Sequence, residues 1–410
     1  MNEIINQLPK MVMGDDINSE MTILPDYNDN IRTQDAAFRL MTLSDLYSIY
    51  IPSSMSTEIY CKLYLALIRS LQKKSGINAI RQRNENNRMI QKQPYNNILG
   101  GSDSFTITGC SGIGKSSAII RAIDLIGANG ILELKVNQNK IIPFVVVQCP
   151  FDCSVKGLLL EILRQVDDNI GSDYYSKGMK ARVTTDMLIG LVSQVALNHI
   201  GLLVVDEIQN VVNNKGGQSL VGMLTQLINS SGISICMVGT PESTPFFEQA
   251  LQLARRSLGL HYNTLEYNQY FCDFCRTLFE YQYTKNKVEI TDSIINWLYE
   301  HSNGIISVVI SLFHDAQEIA ILNGTEKICK ETLNSAYQKR LSMLHSYIEP
   351  TKTKRKQTST IKKQQTLYEV SEQVADTEIT IHSIVEKSKA ECLDVVQELK
   401  KYFSVVEVQI

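Results

Sequence analysis

The chain lacks any long apolar run. Within its 410 residues nothing approaches the ~18–20 consecutive apolar residues of a membrane-crossing helix. Its opening, Met1-Asn2-Glu3-Ile4-Ile5-Asn6-Gln7, has neither a basic segment nor an apolar core, so it does not read as a secretory signal. It also lacks an excess of either charge. The 40 Lys+Arg and 43 Asp+Glu leave a net −3, so any nucleic-acid surface must be a local patch. A disulfide framework is missing too. Nine cysteines, odd in number and scattered, fit a reducing, cytoplasmic compartment. The six histidines are dispersed, and none falls in a Cys/His or Ser/His constellation. Cys149-x3-Cys153 and Cys272-x2-Cys275 find no second ligand pair at a matching interval, which leaves them as structural thiols. What remains is a globular composition, 44% hydrophobic and 20% charged, too long for one core and expected to form two or three units.

One stretch organises the rest. Gly109 to Ser116 fits G-x-x-x-x-G-K-[ST] at every fixed position. Phe105-Thr106-Ile107-Thr108 before it is apolar and β-branched, as a strand is. Ser116 to Ile126 after it reads as a helix closed by Gly127. Strand, glycine-rich turn and helix are what a phosphate cradle needs. The turn points backbone N–H groups inward, and the helix N-terminus adds partial positive charge. Gly109, Cys110, Ser111, Gly112, Ile113, Gly114, Lys115, Ser116 and Ser117 are therefore the candidate nucleotide-binding residues. Lys115 would reach the β- and γ-phosphates of ATP, and the Ser116 hydroxyl would bind Mg²⁺.

Downstream, strand and helix patterns alternate, as in a parallel α/β sheet. Ile142 to Cys149 is a continuous apolar run. Val155 to Val166 and Met187 to His199 read as helices. Gly201-Leu-Leu-Val-Val-Asp-Glu-Ile-Gln-Asn210 has the Walker B form. A buried strand would present Asp206 to the Mg²⁺ shell and Glu207 to the attacking water. The next strand, Ile233 to Thr240, ends where a γ-phosphate sensor would sit, making Thr240 a candidate. Its alternative is an ordinary strand-end threonine opening the Pro241 turn. Glu242 to Leu253 reads as a helix closing in Ala254-Arg255-Arg256. These arginines would either favour the helix dipole or serve as an arginine finger for a neighbouring subunit.

The flanks divide the chain. Residues 1–100 are expected to hold an N-terminal arm without a core of its own, from Met1 to about Asp35, and a helical extension. Within that extension, Ile59, Leu63, Leu67 and Leu71 form one stripe. Arg69, Lys73, Lys74, Arg81, Arg83, Arg88 and Lys92 face only Glu85 and read as a solvated basic linker, with contact to a phosphate backbone as the alternative. Residues 101–285 make the αβ core and 286–349 a helical lid. Residues 350–410 would be a basic linker and a tail, with Ile381 to Phe403 either docking a partner or packing back on its own body.

With these motifs in this order the chain resembles AAA+ ATPases, and more narrowly the TnsC/TniB group of transposition regulators related to MuB. Gly109 to Ser117, Val205-Asp-Glu-Ile-Gln-Asn210, Val238-Gly-Thr-Pro-Glu242, Ala254-Arg-Arg256, Ser302-Asn-Gly-Ile-Ile-Ser307 and Leu24 to Arg32 carry the resemblance. It implies a P-loop NTPase with a parallel-sheet core and a small helical lid. It also implies ATP and Mg²⁺ as cofactors, and a homo-oligomeric ring or helical filament on double-stranded DNA. Catalytic roles would fall to Lys115, Glu207, Thr240, Arg255 and Arg256. The partners would be a transposase and a target-selector protein, and no membrane. Lys177, Lys180, Arg182 and Thr184, between the Walker motifs, would contact DNA phosphates. One departure stands out. The lid pattern G-x-x-R reads Gly304-Ile305-Ile306-Ser307 here, without the arginine, so hydrolysis is expected to be slow. A replication initiator or helicase loader, and a nucleotide-switched signalling or defence module, are the alternative functions.

Overall fold

The frame follows from strands that are apolar on both faces. The computed structural model describes residues 3–74, 76–98, 104–134, 139–180, 182–212, 216–244 and 259–342. All lie in the first of the chain's two units, Met1–Lys352. Strands β1 (Phe105–Gly109), β2 (Leu132–Leu134), β3 (Asn139–Gln148), β4 (Ile200–Asp206), β5 (Ser234–Gly239) and β6 (Leu260–Tyr262) form one sheet in the order β2-β3-β4-β5-β1-β6. Every pairing is parallel except β2 with β3. Side chains alternate between the faces. Phe144, Leu202, Val204, Cys236 and Val238 enter one core, while Val145, Leu203, Val205, Ile235 and Met237 enter the other. The central strands β1, β4 and β5 are buried on both faces, which is why they read as unbroken apolar runs, whereas Val146 in β3 is exposed.

The N-terminal helices are α1 (Asp15–Met21), α2 (Ala36–Thr42), α3 (Ser54–Lys74) and α4 (Ile77–Ile90). Those of the core are α5 (Lys115–Ile126), α6 (Val155–Ile170), α7 (Tyr174–Gly178), α8 (Thr185–His199) and α9 (Gly217–Ser231). The predicted stripe Ile59, Leu63, Leu67 and Leu71 is fully buried, and with α5 it covers one face. Helices α6, α8 and α9 cover the other.

Two N-terminal expectations are corrected. The segment before Asp35 has no core of its own, yet it is not a free arm, because Ile4, Ile5, Leu8, Ile17 and Met21 are buried in the α3–α5 core. Its composition cannot build a core alone, but each sparse apolar residue meets a surface that already exists. Nor is the basic stretch a solvated linker. Helix α4 turns Ala79, Gln82, Glu85, Asn86 and Met89 inward, packs on α8, and pairs Glu85 with Arg88 at 2.9 Å. Lys74 is buried, its Nζ donating to the carbonyls of Ala196 (2.7 Å) and Leu197 (3.1 Å) in the last turn of α8.

A third core is helical. It joins α10 (Gln269–Phe279), α11 (Asp292–Ser302), α12 (Ile306–Leu322) and α13 (Lys330–Arg340). Leu43, Leu46 and Ile49 from the N-terminal segment complete it. The helical layer therefore draws on chain outside 286–349. Arg39 fastens that segment in place. Its guanidinium meets both Glu326 oxygens at 2.7 Å and the Tyr283 carbonyl at 2.9 Å. Such a bidentate pair fixes orientation as well as contact. Among the described residues no single helix is long and apolar enough to cross a membrane. The helix expected over Glu242 to Leu253 lies largely, and the tail helix entirely, outside the described residues.

Burial pushes the Lys74 ammonium from 10.5 down to about 7, with Arg83 adding repulsion. The unfolded chain then binds this proton at higher pH than the folded one. Folding stability should rise with pH between about 7 and 10.5, by at most about 1.4 kcal/mol per unit. Urea unfolding across that window should show the rise in wild type, and Lys74→Met should flatten it.

Candidate nucleotide-binding site

The phosphate loop leaves β1 and returns as α5. Its course needs glycine where φ is positive, at Gly112 (+81°) and at Gly114 (+99°), the residue that caps α5. Lys115 is buried at the first turn of α5, its Nζ donating to the carbonyls of Gly109 (2.6 Å) and Cys110 (2.8 Å). Desolvation lowers its pKa, against the pull of Asp206 first among the nearby acids.

Strand order supplies the other wall. Because β5 lies between β1 and β4, the strand ends bring the loop, Asp206 and Thr240 to one edge. The Ser116 hydroxyl donates to Asp206 Oδ2 at 3.2 Å. A hydroxyl and a carboxylate side by side are the hard oxygen donors that Mg²⁺ takes, so the residues fit that ion. Asp206 Oδ1 accepts from the backbone N–H of Glu207 at 2.8 Å. Glu207 adopts φ +57°, rare for a non-glycine residue, as the chain turns from β4 into a short 3-10 segment, Ile208–Val211. The Thr240 hydroxyl leans toward Glu242, whose carboxyl it helps hold below the usual range, without closing a hydrogen bond of normal geometry.

The predicted residues thus divide clearly. Ser111, Gly112, Gly114, Lys115, Ser116, Ser117, Asp206, Glu207 and Thr240 line one cavity. Cys110 borders an adjoining one, and Ile113 turns inward, 5% exposed. Arg255 and Arg256 lie outside the described residues. The DNA candidates do not act as one group. Lys177 pairs with Asp173 at 2.6 Å and lies over the Tyr174 ring. Thr184 caps α8 by accepting from Met187 N. Lys180 and Arg182 are exposed. Cys272 is half-buried and Cys275 buried, and neither forms a disulfide. His314, Asp315 and Glu318 do come together on α12, but Arg340 engages Glu318 at 3.1 Å.

Sequence reasoning missed two features. Gln209 and Gly239 line the same cavity between Glu207 and Thr240. On the other side of Gly112–Gly114 lies an apolar groove walled by Tyr47, Tyr50, Met55, Tyr270, Phe274 and Ile310. Its residues come from three distant segments, so no local spacing announces it. Ser307, the residue in place of the G-x-x-R arginine, sits at the junction of groove and cavity. Its backbone N–H donates to the Gly112 carbonyl at 3.1 Å.

A mostly parallel sheet, a phosphate loop and a Walker B strand one place removed from the loop strand make this the AAA+ P-loop fold. Residues 99–247 match the AAA domain family. The chain is similar to the solved ORC1 protein of Aeropyrum pernix in complex with DNA, at 16% identity over 64% of this chain and 64% of that one, with a TM-score of 0.42. It is also similar to the ORC2 protein of the same organism in its ADP form, at 17% identity over 66% and 69%, with a TM-score of 0.41. A third is the Walker-type ATPase PABY2304 of Pyrococcus abyssi, at 12% identity over 65% and 72%, with a TM-score of 0.36. The chain thus spans just under two thirds of the first of these. No curated protein matches it.

A Cβ on Gly112 would collide with Ser307 Oγ and stand 2.9 Å from Ile305 Cγ2. The positive φ alone costs a side chain roughly 1–2 kcal/mol. Gly112→Ala should therefore weaken binding of a fluorescent ATP analogue about tenfold or more, read by titration.

Proposed function

We propose that this chain is a Mg²⁺-dependent ATPase whose ATP state governs its assembly on double-stranded DNA, linking a target-site selector to a transposase in DNA transposition. The observation that carries the hydrolytic part is the meeting of Lys115, Ser116, Asp206, Glu207 and Thr240 around one cavity. Lys115 would exchange its two loop carbonyls for phosphate oxygens. Ser116 and Asp206 would hold the cation, which when bound offsets charge on the β- and γ-phosphates. Glu207 would take a proton from the attacking water, and Thr240 would hold a γ-phosphate oxygen. The groove beside Gly112–Gly114 would receive the base.

Assembly is supported by charge. Among the described residues lining the cavity, Lys115 is the only cation, against Asp206 and Glu207. A triphosphate needs more positive charge than this, which favours an arginine supplied by a neighbouring subunit. Arg255 or Arg256 is the assignment that the TnsC/TniB resemblance implies. The transposition reading rests on the same resemblance. Exposed Lys180 and Arg182 would add DNA contacts without sequence preference.

Glu207→Gln should lower kcat about 100-fold or more and leave ATP binding intact, trapping the ATP-bound oligomer. Lys115→Ala should abolish ATP-dependent assembly in light scattering. Duplex binding by anisotropy should require ATP and fall steeply with salt. Equal DNA affinity with and without ATP would defeat the transposition reading. Binding confined to one defined duplex sequence would favour the initiator. An oligomer size indifferent to DNA would favour a signalling switch.

A further inference from the structure

Glu207 and Thr240 stand on different strand ends, and one side chain connects them. Gln209 Nε2 donates to Glu207 Oε2, while its Oε1 accepts from the backbone N–H of Thr240 at 3.3 Å. The carboxamide uses its donor on one residue and its acceptor on the other, which neither a carboxylate nor an amine can do. The backbone is arranged around this bridge. The left-handed turn at Glu207 brings Gln209 back over the strand ends. The residue before Thr240 is Gly239, where a Cβ would stand 2.7 Å from Ile208 Cγ2 and 3.1 Å from Gln209 Oε1. A side chain at that position would push the bridge open.

Glu207 is exposed, so its flexible side chain would otherwise sample several rotamers. Gln209 removes that freedom from Oε2. Oε1 accepts no hydrogen bond among the described residues and stays available as an acceptor. We propose that Gln209 is a positioning residue that ties the carboxylate of Glu207 to the end of β5, so that water activation depends on how the γ-phosphate sets Thr240. The inference rests on the ATPase reading above and deepens it. A γ-phosphate that draws in Thr240 draws in the Gln209 amide, and with it the group that takes the proton. A diphosphate exerts no such pull. Hydrolytic competence then follows nucleotide state within one subunit.

The test is steady-state ATPase kinetics on the full chain with Mg²⁺, using Gln209→Met, Gln209→Glu, Glu207→Gln and the Gln209→Met/Glu207→Gln double variant. Gln209→Met removes both hydrogen bonds at similar volume. Gln209→Glu keeps an acceptor for the Thr240 N–H but sets a carboxylate against Glu207. Both single variants should lose roughly 10- to 100-fold in kcat, with the KM for ATP within about twofold of wild type. The double variant should be no slower than Glu207→Gln alone, because Gln209 acts only through that carboxylate. Thermal melts separate folding from function, and if Gln209→Met fails to fold, the more polar Gln209→Glu decides. Wild-type kcat in either folded single variant, a loss confined to KM, or losses that multiply in the double variant would each overturn the proposal. Absence of turnover in wild type would instead defeat the ATPase reading, and full turnover in Glu207→Gln would remove Glu207 from the mechanism; either result takes this inference with it.

Discussion

The structure depends on a mostly parallel sheet whose central strands β1, β4 and β5 are buried on both faces. A strand so placed offers polar groups only at its ends, and parallel strands bring their C-terminal ends to one edge. Order within the sheet then decides what meets there. With β5 between β1 and β4, the loop after Gly109 and the acids after Val205 are held two strand spacings apart, about 10 Å. That gap is bridged on one side by the Ser116–Asp206 hydrogen bond and closed from beneath by Gly239 and Thr240. The buried cores on both faces hold the edge still, so the polar groups need little reorganisation to meet a ligand.

The helical layer adds the second constraint. It reaches the phosphate loop through a backbone hydrogen bond, Ser307 N–H to the Gly112 carbonyl, with the serine hydroxyl packed against the glycine. A long arginine in the position of Ser307 would act at a distance from a looser lid. A serine requires close approach, and close approach requires glycine at 112. The same layer, with Tyr47 and Tyr50 from the N-terminal segment, walls the apolar groove. Arg39 locks that segment to Glu326. Base side and phosphate side are therefore coupled through elements far apart in sequence.

This explains what the sequence made legible. Gly109 to Ser117 is contiguous, and each residue's duty follows from its neighbours, so the loop could be read directly. Asp206, Glu207 and Thr240 were legible because a strand end is a local event. The lid helices were legible from their periodicity. Other features are set by packing between distant segments. The groove gathers residues from 47–55, 270–274 and 306–311. Ile4, Ile5 and Leu8 borrow a core that their own composition does not announce. Helix α4 buries Gln82, Glu85 and Asn86, polar residues whose inward face a hydrophobicity pattern cannot reveal. Thr184 has the right type and neighbourhood for a phosphate contact, yet its hydroxyl is spent on the first turn of α8.

Gln209 shows the same limit inside the best-read motif. Within Asp206-Glu207-Ile208-Gln209-Asn210 the two acids carry obvious chemistry, and the amides look like ordinary loop residues. Their duties emerge only when β3 and β5 are brought alongside. Asn210 Nδ2 donates to the Cys149 carbonyl at 3.0 Å, tying the turn to β3. Gln209 ties it to β5 through Thr240 N–H. The segment after Asp206 is thus held by its neighbours on both sides, and the left-handed Glu207 is fixed between those ties rather than strained alone. A carboxylate held this way has its position set by the strand ends.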